Sequence, residues 1–319
     1  MTGEANLWSR RLATDFRGAL VVLAVTALAP LLVRDTYTLG ILIVSMYFAL
    51  LALGWNLLAG FTGQFSLAPA AFAMLGAYTP ALLAYHLRAP LTLGLPAGII
   101  GTAILGWLLG RVVLRLKGPY LALTTLSFAE IARMMIANSH EFTRGDQGLN
   151  VSAVTANRLG YYYLFLGLLA LVVVLVFELM RSRVGRFWLA IRDDETGAES
   201  RGIDVVRYKT LAFALSCAIC GAAGALYGTF SQLVSPELGL LLQTGLVIAM
   251  VVIGGIGTLT GPLFGALLVY LTSEWMRGVG NIQMIVFAAL VILFARFFRE
   301  GLWGFATRLR ARGAAERVP

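Results

Sequence analysis

The sequence predicts an all-α polytopic membrane protein of about ten transmembrane helices, and three observations point there. The chain of 319 residues is 59% hydrophobic and only 13% charged, against about 45–50% and about 25% in ordinary soluble domains. Its mean hydropathy is +0.82. Apolar runs of about 20 residues, the length that crosses a bilayer core, follow one another along most of the chain. No gap between them would house a folded soluble domain. Residues 16–300 therefore form one transmembrane domain, residues 1–15 a polar N-terminal segment, and residues 301–319 an arginine-rich tail.

A net charge of +9 would suggest nucleic acid if the protein were soluble. Here the basic residues sit at the ends of apolar runs, which is the positive-inside pattern. No nucleic-acid partner is expected. With ten spans, most of the 25 basic residues fall on one side, and both termini are expected in the cytoplasm.

In order, the first span covers 16–33. Ala27-Leu28-Ala29 imitates a signal-peptide cleavage site, but Pro30 follows it and the apolar run continues, so the span is expected to remain uncleaved. The second span, 39–59, leads into GFTGQFSLAPAAFAMLGAY at 60–78. There Thr62, Gly63, Gln64 and Ser66 open an otherwise apolar helix, and Pro69 stands where a first helical turn tolerates proline. Non-helical backbone at membrane depth is permitted only where protein or a wet cavity surrounds it. Gly63, Gln64 and Ser66 are therefore candidates for a translocation pathway; an ordinary turn at the membrane surface is the competing reading.

The third span runs to about residue 85, and the fourth, 91–113, is closed by Arg111, Arg115 and Lys117. The fifth, 120–137, carries Thr124, Glu130 and Arg133. The last two, three residues apart, are neighbours on one helix face. Ionisable groups at this depth are costly and by default functional, so these three join the pathway candidates. A structural ion pair turned toward the bundle interior fits the same spacing.

Residues 138–159 form a polar loop without secondary-structure period. The sixth span, 161–180, opens with Tyr161, Tyr162 and Tyr163 at the interface. The seventh, 210–230, contains Gly224 and Gly228 at the GxxxG spacing of close helix contact. Short spans at 240–256 and 263–276 are joined by GGIGTLTGP. That stretch lacks the lysine of a phosphate-binding loop and the third glycine of a dinucleotide fingerprint, and reads as a turn. If it and 60–66 are re-entrant, the span count falls to nine or eight. The last span is 282–298. Cys217 and Cys220 lie in an apolar helix with no second pair and read as packing residues. No nucleophile–base set or metal set is present, so neither catalytic residues nor a metal is expected.

Between the sixth and seventh spans lies the inter-span loop 181–209, rich in arginine. Asp193, Asp194 and Glu195 suit the positive end of a helix dipole, Arg201 the negative end, and Gly202 the left-handed stop. The prediction is a helix of about two turns from 194 to 201, held at the membrane surface where a soluble partner would grip it.

Several stretches stand in a telling order over about residues 40–300: Asn56-Leu57-Leu58 before the 60–78 segment, GPYLALTTLSFAEIARM, TRGDQGL, GRFWLAIRDDETGAESRGIDVVRYKTLAFALS and VVIGGIGTLTGPLFGALL. Together they resemble the inner-membrane permeases of ABC importers for branched-chain amino acids, the LivM type. The resemblance implies an ABC importer permease fold in the bacterial inner membrane. It also implies a second, LivH-type permease, two cytoplasmic ATPases that carry ATP and Mg, and a periplasmic substrate-binding protein. This chain itself would hold no cofactor. The matching positions imply an ATPase-coupling role for Asp193, Asp194, Glu195, Ala198, Glu199 and Gly202, and place Gly63, Gln64, Ser66 and Gly76 in the family's membrane signature. Ala68-Pro69 departs from the Gly-His of many members, so this segment does not define the substrate. Urea and short amides, carried by relatives, are the alternative. An ion-coupled secondary transporter would need titratable groups at mid-membrane, where Glu130 alone qualifies.

Overall fold

The computed structural model of the chain describes residues 2–32, 35–116, 118–276 and 301–304. Helices dominate: α1 (Thr2–Leu32), α2 (Thr36–Thr62), α3 (Pro69–Leu87), α4 (Leu91–Val113), α5 (Pro119–Asn138), α6 (His140–Thr143), α7 (Arg158–Arg181), α8 (Arg183–Asp193), α9 (Glu195–Ser200), α10 (Val205–Ser231), α11 (Leu241–Gly254) and α12 (Thr260–Trp275). Among the described residues, α1, α2, α3, α4, α5, α7 and α10 are long and apolar enough to cross a membrane, and the protein is a multi-pass membrane protein. Helices α11 and α12, with 14 and 16 residues, reach only about 21 and 24 Å at about 1.5 Å per residue. The expected span at 282–298 and the tail beyond 304 lie outside the described residues.

Two helices hold the bundle together. Helix α2 is buried along most of its length and packs on α10, α12, α7 and α11. Helix α10 packs on α4, α3 and α2. Small residues allow this closeness, because lipid tails solvate leucine as well as protein does and helices associate in a bilayer chiefly by close packing. A Cβ at Gly224 would overlap the carbonyl of Ala73 on α3, and one at Gly228 would lie 2.9 Å from a Val234 methyl and 3.3 Å from the Ala77 Cβ. The GxxxG pair is thus the contact surface for α3. Cys217 and Cys220 are buried free thiols that lie against Gly106 and Gly54 respectively.

The starts of α2, α7, α8, α9 and α10 are capped by side chains. The Asp35 carboxylate accepts from the Thr38 N–H at 3.1 Å and caps α2; these bonds hold its pKa below the ordinary carboxylate value. Pro69 occupies the first turn of α3, as the sequence predicts.

The 138–159 loop is more ordered than its sequence suggests. It contains α6, a 3-10 turn at Gly145–Gln147 and strand β1 (Leu149–Asn150). Strand β1 pairs antiparallel with β2 (Leu233–Val234), Leu149 facing Val234. A 3-10 turn at Pro236–Gly239 then packs on α3 and α5. The end of the bundle opposite the arginine-rich segment is therefore closed by two loops stitched to each other.

Candidate functional site

At the arginine-rich end the chain breaks between α2 and α3, at residues 63–68. Gly63 makes the break possible. It caps α2 with φ +71°, and its N–H donates to the Leu58 carbonyl. A Cβ there would meet both left-handed strain and the Arg192 side chain at 3.1 Å. Gln64 is buried, its Nε2 donating to the Thr62 carbonyl at 3.2 Å. Ser66 is also buried; its carbonyl accepts from the Trp55 indole N–H at 2.7 Å and its hydroxyl from the Ala68 N–H at 3.3 Å. The Leu67 N–H donates to the Thr125 hydroxyl at 3.0 Å, which ties the break to α5.

A second irregular segment, 255–259, lies alongside. Asn56, fully buried in α2, donates to the Thr258 carbonyl and accepts from the Gly257 N–H, both at 2.8 Å. The Asp15 carboxylate of α1 accepts from the Leu259 and Thr260 N–H groups at 2.5 and 3.0 Å, supplying the start of α12 with the negative charge that helix N-termini favour. An unpaired buried amide or N–H costs about 1–3 kcal/mol, so these bonds fix the 255–259 segment against the α2 end of the break.

Below both segments lie α8 and α9. Helix α8 occupies the basic stretch before the predicted 194–201 helix, where no helix is expected. Its signal was present: Val184, Phe187, Trp188 and Ile191 recur at helical spacing. Gly185, Trp188 and Ile191 are buried, and the Trp188 indole donates to the Tyr208 carbonyl at 2.9 Å. Helix α9 is shorter than the predicted 194–201. Asp194 is its N-cap, accepting from the Gly197 N–H at 3.0 Å. Asp193 instead ends α8 and pairs with Arg192 at 3.1 Å. Gly202 stops the segment with φ +81°.

The acidic and small residues of this segment divide between two faces. Asp193, Asp194, Glu199 and Gly202 are exposed. Ala198 is buried with Ile191 and Val205, and Glu195 turns inward to Lys209, Oε2 to Nζ 2.7 Å. Arg192 reaches across to the Gly60 carbonyl at 3.2 Å.

These elements enclose a cleft of about 430 Å³, lined by Thr62, Gly63, Gln64 and Phe65 of the break, by Gly118, Pro119, Leu121 and Ala122 at the start of α5, and by Ile191, Arg192 and Glu195. The structure thus brings Gly63, Gln64 and Glu195 to one cavity. Ser66 does not line it.

The remaining candidates lie on α5 and apart from the cleft. The Thr124 hydroxyl donates to the Tyr120 carbonyl at 2.8 Å. Glu130 and Arg133 form a two-pronged ion pair at 2.8 and 2.9 Å, about 12 Å along the helix from Ala122 at about 1.5 Å per residue. The expected orientation toward the bundle interior is not what is seen: the two side chains are 41% and 21% exposed. Helix α5 is covered mainly by α3 and the loops near its end, which leaves its other faces open. Among the described residues no group of His, Cys, Asp and Glu is arranged to hold a metal ion.

Comparison with known proteins decides the family. Residues 37–295 match the family described as the permease component of branched-chain amino acid transport systems. This chain belongs to that family. The permease is 33% identical to the high-affinity branched-chain amino acid transport system permease protein LivM of Escherichia coli, over 89% of this chain and 74% of the relative. It is 25% identical to the permease protein LivH of Salmonella typhimurium, over 79% of this chain and 91% of the relative. A fructose import permease protein, FrcC of Rhizobium meliloti, is 30% identical over 60% of this chain and 57% of the relative. No solved structure matches the permease.

Proposed function

We propose that this permease is one of two membrane subunits of an ATP-driven importer of branched-chain amino acids, with both termini in the cytoplasm. The observation that carries the reading is the two-faced α9 segment. Its outer face presents Asp193, Asp194, Glu199 and Gly202, and its inner face is tied to the cleft beside the chain break. A short capped helix of this kind suits a soluble ATPase, which supplies ATP and Mg chemistry that this chain lacks the motifs for. The second permease, of LivH type, would cover the open face of α5. An ion pair left facing lipid at mid-membrane is costly, so Glu130, Arg133 and Thr124 fit a protein-covered or watered wall of the pathway. The stitched loops at the opposite end would then meet a periplasmic binding protein.

Substrate choice rests on that binding protein more than on this chain, since the walls of the bundle are apolar and a sugar permease is among the relatives. The test is uptake of labelled leucine into proteoliposomes holding both permeases, the ATPases and the binding protein. Uptake is expected to require ATP and Mg on the ATPase side. Uptake driven by a proton gradient with no ATPase present would overturn the reading.

A further inference from the structure

Resting on that reading, we propose that Lys209 is a positioning residue for energy coupling. Its ion pair with Glu195 is the strut through which α9 moves α10 and the wall of the cleft.

Lys209 is 1% exposed, an unusual place for a strongly hydrated ammonium group. Burial of such a charge is tolerated when it is paired and hydrogen-bonded, and here Nζ lies 2.7 Å from Glu195 Oε2. Glu195 is the first residue of α9, and Lys209 lies one turn inside α10. Between them the chain passes through Gly202 at φ +81°, whose Cβ position faces open space. Such a turn does not transmit a push. The ion pair bypasses it and joins the two helices directly.

The other footing of α9 is small. The helix has six residues, of which Ala198 is buried, against Ile191 and Val205. Apolar contact of this size permits sliding, whereas an ion pair whose ammonium is buried and whose carboxylate is 29% exposed resists both separation and slip. Helix α10 is the element best placed to use the motion, since it packs on α2, α3 and α4. Glu195 also lines the cleft, so displacing it relative to α10 alters the cavity beside Gly63 and Gln64.

The experiment measures leucine uptake and ATP hydrolysis in the same proteoliposomes, with the complete importer. Lys209→Met is expected to keep the ATPase bound and hydrolysing while uptake per ATP falls about tenfold, within the usual range of coupling between linked sites. The reversed pair, Glu195→Lys with Lys209→Glu, is expected to recover most of the ratio. An unchanged ratio in Lys209→Met, or a reversed pair no better than the single variant, would overturn the proposal. Should Lys209→Met fail to fold, Glu195→Asp decides: it keeps both charges and shortens the strut by one methylene. A fallen ratio there supports the strut, and an unchanged ratio refutes it. Wild-type complex without ATP-driven uptake would refute the importer reading instead, so the two failures are distinguishable.

Discussion

Gly224→Leu is expected to abolish accumulation of folded permease in the membrane. The added side chain would begin inside the Ala73 carbonyl of α3, and backbone has no rotamer by which to move away. Relief requires separating α3 from α10, two helices of the central packing. Overpacking costs about 1–3 kcal/mol and, where backbone must move, occasionally more, a large share of the margin of a folded protein. Gly167→Leu is the control, because a Cβ at Gly167 on α7 meets nothing within 4 Å. Detergent-extracted yield and a thermal melting curve give the readout. Equal yields and melting points for the two variants would contradict the packing described for Gly224.

The second large effect is expected at the ion pair of α5. Glu130→Gln leaves Arg133 without its anionic partner at mid-membrane, where an unpaired arginine costs about 2.5–3.5 kcal/mol by insertion measurements. The single variant should therefore lose assembly with the second permease, while Glu130→Gln with Arg133→Met recovers much of it. Co-purification of the two permeases measures this. Normal assembly of both variants with equal loss of uptake would mean that the pair contacts solute or acts as a gate.

Much of this architecture was legible in the sequence where a local pattern has one physical meaning. Glycines and polar residues at 60–66 mark an interruption of the apolar run, which the structure places at 63–68, and the spacing of Gly224 and Gly228 marks a close helix crossing. Gly202 predicted a left-handed stop, and the structure has it at φ +81°. Helix α8 is less plain in the sequence, because the apolar repeat of Val184, Phe187, Trp188 and Ile191 is interleaved with arginines that also fit an unstructured cytoplasmic loop. The clamps on the 255–259 segment were not legible. Asn56 and Asp15 bond residues 201 to 245 positions away, and nothing local marks such a partner. The exposure of Glu130 and Arg133 escaped for a related reason: spacing shows that they face each other, not which helix covers them. Likewise Lys209 reads as one more basic loop residue until Glu195 is seen beside it.

The outer face of α9 is expected to dock the ATPase, and its inner face to report to the break. Gly202→Val and Glu199→Lys test it most directly. Both positions are exposed, and a Cβ at Gly202 meets no atom. Valine there therefore brings the left-handed strain of about 1–2 kcal/mol without a clash, while Glu199→Lys reverses the charge offered to a partner. The measurement is co-purification of tagged ATPase with each variant, together with binding-protein-stimulated ATP hydrolysis. Permease levels in the membrane are expected to stay normal, with ATPase recovery and stimulation both sharply reduced. Wild-type recovery and stimulation in both variants would place the docking surface elsewhere and contradict it.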